Sequence, residues 1–415
     1  MRLLAGVPDD GHLDLAGHIQ VHGPMSKHRD LHAEVDRSGL TGRGGGGFPL
    51  ARKMRAVADA RGRAVIVVNA AESEPAAGKD HHLLTRTPHL VLDGAQAAAG
   101  SLGASEVIVW THRGDRHSRD RLDAAIAERP GRRPRVVAGP DRYVAGEASA
   151  IVQHLSGGPA LPTMSPYRTA ERGVRGRPTL LANAETFAHL ALVARHGADW
   201  FREAGTPDEP GTVLATVRGA VRHPGVVEVP LGLPMSGLLA RVGGTTGAVG
   251  SFLVGGYAGS WLTAGAAEVL TVSRESMAAH GADLGVGLVV ALPADRCAVA
   301  ETARLLGWLA AESTGQCGPC INGLPAIAAG FGDLVAGHGG AERLEQLHRW
   351  ARLVTGRGAC HHPDGAVRLL LSTLSVHGDH LREHARRGPC DDLASSPVCP
   401  LPPTAAAETG QGRWR

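Results

Sequence analysis

The spacing of hydrophobic and polar positions changes character twice along the chain. The run Arg63-Ala-Val-Ile-Val-Val-Asn-Ala is continuously apolar and short, which suits a strand covered on both faces. An Ala-rich helix from about His89 to Leu102, a strand from Glu106 to Trp110, a helix around Asp120 to Ile126 and a strand from Arg135 to Ala138 follow. That succession predicts an α/β layer arrangement. Tyr143 to Glu147 opens a helix running through Leu155, and Asn183 stands at another helix start. From Gly211 the texture becomes two alternating runs joined at His223-Pro224-Gly225, a short helix from Met235 to Val242 and a strand pair around Phe252 to Tyr257. Strands flanking one helix predict a compact α+β module. After a last apolar run, Val286 to Leu292, Asp295 is placed to cap a helix reaching Ala311, with further helices over Ala341 to Leu353 and Ala366 to Leu374. The pattern divides the chain into an α/β part over 1–205, a small β module over 211–291, a helical part over 294–388 and a Pro-rich, disordered tail over 389–415.

Composition narrows the class. At 415 residues, 43% hydrophobic and 20% charged, the chain can bury a large core. Its net charge of +3 is small and its basic residues are dispersed, so nucleic acid is not an expected partner. No apolar run approaches the roughly 20 residues that cross a bilayer, and acids follow the amino terminus closely, so a cytoplasmic protein without direct membrane insertion is expected. Six cysteines are too few for a disulfide scaffold in a chain of this length, which leaves metal binding or catalysis. Basic residues are almost all arginine; the lysines are Lys27, Lys53 and Lys79.

Three stretches carry candidate chemistry. Ser38 to Pro49 contains Gly42, Arg43 and the four consecutive glycines Gly44 to Gly47, followed by Phe48 and a helix bearing Lys53. Such a loop lets several N–H groups approach one anion, and the helix start adds its positive end; a flexible linker is the plainer alternative. The strand before Asn69-Ala-Ala-Glu-Ser-Glu-Pro75 places Asn69, Glu72 and Glu74 at a sheet edge where ligands gather, although acids there also cap helices. Gly146, Glu147 and Asn183 fall at helix starts near the same edge, with capping again the alternative. Finally, Cys317 and Cys320 are two residues apart in Glu312 to Cys320, and Cys360 arrives 40 residues later at another helix junction. All three lie in Gly/Pro turns, which fits zinc, with His361 or His362 as fourth ligand, or an iron-sulfur cluster. Cys297 reads as helix packing, and Cys390 and Cys399 fall in the tail.

Taken together, these motifs resemble the NADH-binding flavoprotein subunit of respiratory complex I and of related NAD-linked formate dehydrogenases and hydrogenases. The glycine loop through Lys53, Asn69 to Pro75 with Lys79-Asp80, Tyr143 to Ile151, Gly176 to Ala188, Gly219 to Gly225, and Glu312 to Cys320 with Cys360 occur in the family's order. The resemblance implies a multidomain α/β protein: a Rossmann-like FMN-binding domain, a soluble-ligand-binding (SLBB-like) β-grasp module and a C-terminal helical iron-sulfur domain. It implies FMN held by Gly42, Arg43, Gly44, Gly45, Phe48, Lys53, Asn69, Glu72, Gly146, Glu147 and Asn183, with Glu74 on the nicotinamide side as the catalytic position. Cys317, Cys320 and Cys360 would hold a 4Fe-4S cluster. Electrons would pass from NADH or a substitute donor to FMN, to the cluster, and on to a ferredoxin-like or other iron-sulfur redox subunit or a quinone-linked chain. Those partners would place the protein at the inner face of the membrane. The sequence departs from the family pattern at Ala71, Ala148, Ser165 and Arg168, and Thr314 stands where the first cluster cysteine is expected, leaving three thiolates. The alternative is a diverged, non-catalytic scaffold with zinc or no metal at its cysteines.

Overall fold

The computed structural model describes residues 2–8, 11–25, 30–390, 397–402 and 414. Four parallel strands, β1 (Val65–Asn69), β2 (Glu106–His112), β3 (Arg135–Gly139) and β4 (Thr179–Asn183), form one sheet in the order β3-β2-β1-β4. Val65 to Val68 are wholly buried because both faces of β1 are covered. Ile66 and Val68 pack with Leu90, Phe187 and Leu190, whereas Val65 and Val67 pack with Ala145, Ile151 and Leu155. Each fully buried Val or Ile contributes about 1.5–3 kcal/mol, so this strand anchors the layer. Helices Pro88–Ser101 and Ala184–His196 meet so closely that a Cβ on Gly94 would lie 1.8 Å from the Phe187 carbonyl oxygen. The chain leaves β1 toward β2 and β3 and returns as β4 on its other side, which opens a crevice at the carboxyl ends of β1 and β4.

The second sheet contains β5 (Thr212–Gly219), β6 (Gly225–Pro230), β7 (Val249–Val254), β8 (Ser260–Thr263) and β9 (Leu288–Pro293) in the order β6-β5-β9-β7-β8. β5 and β9 run parallel, and the other pairs are antiparallel. One face packs on Met235 and Leu238 of a short helix. The other face, through Leu253, Trp261 and Val290, shares a core with Leu305, Leu309 and Leu369 of the carboxyl-terminal helices. Those helices are Ala298–Ala311, Leu324–Val335, Ala341–Val354, His362–Val376 and Gly378–Arg387.

Several expectations need correction. The amino-terminal stretch, for which the pattern named no element, forms helices Leu15–His22 and Leu31–Ser38, capped by Asp14 and Asp30. Cys297, not Asp295, caps the helix that follows β9, its Sγ accepting from the Ala300 amide at 3.3 Å. Gly378–Arg387 is a helix that the apolar pattern did not announce, because its surface is almost entirely charged. Uniform disorder over 389–415 does not hold for the described part of that segment: Cys399 and Trp414 are buried, and the Pro400 carbonyl accepts from the Tyr257 hydroxyl at 2.5 Å. Residues 391–396 and 403–413 lie outside the described residues. Among the described residues no helix is long and apolar enough to cross a membrane.

Candidate functional site

The crevice at the ends of β1 and β4 is a cavity of about 340 Å³. Of the residues expected there, Gly44, Asn69, Glu72, Glu74, Gly146, Glu147, Asn183 and Cys360 line it. Parallel pairing sets Asn69 opposite Asn183, so both amides leave their strands at the same level. Asn69 donates to the Gly146 carbonyl at 2.9 Å, drawing the Tyr143–Gly146 turn over the cavity. Asn183 caps the following helix through the Glu185 amide at 3.1 Å and donates to Asp80 at 2.7 Å. Glu147 caps its helix through the Ser149 and Ala150 amides at 2.8 and 3.1 Å. Capping and cavity lining are therefore compatible at both positions.

The glycine loop is closed at its base, where the Gly42 amide donates to the Phe48 carbonyl at 2.9 Å. Gly45 and Gly47 have φ of 105° and 57°, a region that side chains with a Cβ avoid. Gly44 lies against Asn183, where a Cβ would approach the Asn183 Cβ to 3.0 Å, and a Cβ on Gly146 would sit 2.3 Å from the Ser73 Oγ. These glycines let the backbone pass close to Asn183 and Ser73 at the rim of the cavity. Arg43 does not reach the cavity: its buried guanidinium donates to the Thr41 hydroxyl at 2.7 Å and to the Pro210 and Thr212 carbonyls, both at 3.2 Å. It fastens the loop to the second sheet. Arg274 does the same from the other side, donating to the Gly45 carbonyl at 2.7 Å. Lys53 donates to the Leu181 carbonyl at 3.0 Å, and burial lowers its pKa. Phe48 is exposed, with the Arg52 guanidinium 5.4 Å from its ring centre. Gly42, Gly45, Arg43, Phe48 and Lys53 thus shape or border the loop without lining the cavity.

Beneath the cavity lies a buried charge cluster. The Lys79 ammonium meets Asp80 and Glu185, each at 3.1 Å, and the Asn183 Oδ1 at 2.9 Å. Burial works against ionisation of Glu185, but the Lys79 charge, joined by His189 and Arg43, outweighs it and holds the carboxyl at about 2. Glu72 accepts from the Asp80 amide at 2.7 Å; burial, then the Asp80 charge, push its pKa up to about 8. Burial likewise raises Glu74 to about 8, opposed by the Tyr257 amide that donates to it. The Glu74 Oε1 is buried and finds no partner among the described residues. An unpartnered, protonated carboxyl in a cavity wall suits a ligand acceptor such as a carbonyl oxygen. Glycine backbone, two amide side chains and this carboxyl together fit a flavin mononucleotide.

The cysteines approach the same cavity from the helical side. A one-turn π-helix, Pro319–Gly323, follows the Cys317 loop and leads into Leu324–Val335. Burial, then the neighbouring Cys317 and Cys360 thiols, push the Cys320 thiol up to about 11, and the Thr314 amide donates to it. The Cys360 thiol accepts from the His362 amide. N–H donors aimed at sulfur suit thiolate ligands. Among the described residues these cysteines join no set of three or more metal-ligating atoms closed to within 4.8 Å of one another. Of the two candidate zinc histidines, the His361 side chain is fully exposed, while His362 Nε2 donates to the Leu309 carbonyl at 2.8 Å and its buried Nδ1 has no partner among the described residues.

Residues not anticipated as site residues join the two halves. Glu312 accepts from the Tyr143 amide at 2.9 Å and pairs with Arg142 at 3.1 Å. The Tyr143 ring packs edge-on against Trp308 at 5.1 Å and lies 5.6 Å from the His362 ring. Lys79 was detectable as one of three lysines falling on a motif; Glu185, Tyr143, Arg274 and Trp308 carried no comparable signal.

Comparison with known proteins agrees with both halves. The Nuo51 FMN-binding domain model matches residues 35–192, and the NADH-ubiquinone oxidoreductase-F iron-sulfur binding region matches residues 300–384. The F subunit of the Streptomyces coelicolor NADH-quinone oxidoreductase is 30% identical over 372 residues, covering 86% of this chain and 83% of the relative. The F 2 subunit of the Rhizobium meliloti NADH-quinone oxidoreductase is 30% identical over 358 residues, covering 82% and 85%. Among solved structures, NAD+-reducing [NiFe]-hydrogenase in its H2-reduced state aligns with a TM-score of 0.78 at 29% identity over 87% of this chain. Its air-oxidized state aligns with a TM-score of 0.80 at 28% identity over 89%. The chain spans 63% and 65% of those two hydrogenase chains. With an FMN-binding region, an iron-sulfur region and relatives of this similarity over most of its length, the chain belongs to the family of NADH-quinone oxidoreductase F subunits.

Proposed function

We propose that this chain is an electron-transfer subunit that accepts electrons from NADH, or a donor in its place, at FMN. It would pass them through an iron-sulfur cluster at Cys317, Cys320 and Cys360 to an iron-sulfur partner subunit or quinone-linked chain. One observation carries the reading: a single cavity is lined both by the glycine loop and strand ends and by Cys360 with its neighbours His361 and His362. In the same reading 1–205 is the FMN domain, 211–291 the SLBB-like β-grasp module and 294–388 the iron-sulfur domain. The protein would work at the inner face of a membrane through its partners.

When bound, FMN supplies the exchange between two-electron and one-electron transfer. The chain's own groups bind and orient. Gly44 and Gly146 admit the cofactor close to the backbone, while Asn69 and Asn183 present amides at one level. Glu74, protonated near neutral pH, offers a hydrogen bond on the nicotinamide side. The Tyr143–Glu312 contact fixes the cavity against the cysteine-bearing helices. The Thr314 amide donates to the Cys320 sulfur, so the Thr314 hydroxyl or a water would complete a cluster with three thiolates.

Anaerobic purification with an absorption spectrum and analysis for FMN, iron and sulfide tests the reading. Flavin with iron and sulfide in one preparation supports it. A colourless protein holding zinc at Cys317, Cys320 and Cys360 would favour the scaffold role instead.

A further inference from the structure

A second set of soft ligands lies away from the cavity and its three cysteines. Cys297 Sγ, Cys390 Sγ and one ring nitrogen each of His380 and His384 fall within 4.8 Å of one another. We propose that these four residues form a tetrahedral Cys2His2 site for a single zinc ion, separate from the iron-sulfur cluster.

The geometry suits one ion. Zinc–sulfur and zinc–nitrogen bonds of about 2.3 and 2.05 Å at a tetrahedral angle place the two ligand atoms about 3.6 Å apart. Cys297 Sγ and His384 Nε2 are 3.6 Å apart. A two-iron cluster held by two cysteines and two histidines puts the pairs on different irons, which spreads the four atoms beyond such a cage. Two thiolates and two neutral imidazoles also balance the charge of Zn2+, the two thiol protons leaving to solvent as the metal enters.

The surrounding structure orients the ligands. His384 is almost wholly buried, and its Nδ1 donates to the Val335 carbonyl at 2.9 Å, which leaves the Nε2 lone pair facing Cys297. This is the outer contact that metal-binding histidines use to fix tautomer and ring plane. His380 and His384 are one helical turn apart on Gly378–Arg387, with ring centres 4.8 Å apart. Gly388, at φ 86°, ends that helix and turns the chain so that Cys390 comes back to the set. Cys297 caps the first helix of the bundle, and its sulfur already accepts the Ala300 amide. The ion would therefore tie the first helix of the iron-sulfur bundle to the last. It also explains why so polar a helix as Gly378–Arg387 docks here.

The test is metal analysis of the full chain, produced with zinc and iron both supplied. The expected result is about one zinc per chain, lost to below about one-fifth in Cys390→Ser and in His380→Ala with iron unchanged. Cys317→Ser should do the reverse, losing iron and keeping zinc. If a variant fails to fold, zinc-edge X-ray absorption on the unaltered protein decides, reading two sulfur and two nitrogen neighbours. Replacing zinc with Co2+ should also give the strong ligand-field bands of a tetrahedral site. A zinc-free protein that takes up no Co2+, a Cys297–Cys390 disulfide, or iron in place of zinc at these residues would overturn the proposal. None of these outcomes depends on whether NADH reduces the flavin.

Discussion

Replacing Lys79 with methionine removes the ammonium that faces two carboxylates and Asn183 in a region closed to water. Lys79, Asp80 and Glu185 are 1%, 3% and 0% exposed. Removing one partner of a buried ion pair costs about 3–5 kcal/mol, and with two carboxylates left behind the upper part of that range applies. The loss depends on pH in a definite direction. In the unaltered protein the depressed pKa of Glu185 adds stability above its ordinary value, lost only as pH falls toward about 2. Without Lys79, burial dominates and the folded pKa rises above the unfolded one, so stability is retained at low pH and lost as pH rises. The deficit of Lys79→Met should therefore be smallest near pH 5. Above that it should grow by up to about 1.4 kcal/mol per pH unit until the carboxyl ionises in the folded state. Urea unfolding followed by tryptophan fluorescence at pH 5, 6.5 and 8, with and without FMN, measures this. A deficit below about 1 kcal/mol, or one that does not change with pH, would mean that Lys79 does not hold these carboxylates in the folded protein.

Two further substitutions probe the site. Glu74, raised to about 8, gives its full stability below its unfolded pKa near 4.5 and loses it as pH rises through 8; Glu74→Gln has no such loss. Relative to the unaltered protein its stability should rise by on the order of 3 kcal/mol between pH 4.5 and 7, and parallel pH curves would contradict the assignment. Thr314→Cys should raise iron and sulfide per chain toward a full four-iron cluster, because the Thr314 amide already touches the Cys320 sulfur. Unchanged iron content would mean that another ligand already completes the site.

The local pattern announced β1, β2 and β3, because a doubly covered strand such as Val65–Val68 must be continuously apolar, but it did not announce β4 (Thr179–Asn183), whose short apolar run sits between a Pro-rich segment and a helix start. The meeting of Asn69 with Asn183 was not legible, since it depends on the parallel register of β1 and β4. Motif order brought Gly44, Asn69, Glu72, Glu74, Gly146, Glu147, Asn183 and Cys360 to one cavity. It misjudged Arg43, whose guanidinium turns away to backbone carbonyls that are distant in sequence. Cys297 read as packing and Cys390 as tail because their convergence comes only from the folded bundle. No spacing rule spans the gap between Cys297 and the His380–Cys390 segment.

If flavin and cluster share one cavity, electrons should cross it from the first to the second. Rapid anaerobic mixing of the reconstituted protein with NADH, followed at the flavin and iron-sulfur absorption bands, tests this directly. Flavin bleaching followed by cluster reduction is expected, with only the second phase lost in Cys360→Ser. A flavin that bleaches while an intact cluster stays oxidised would contradict the shared cavity as an electron path.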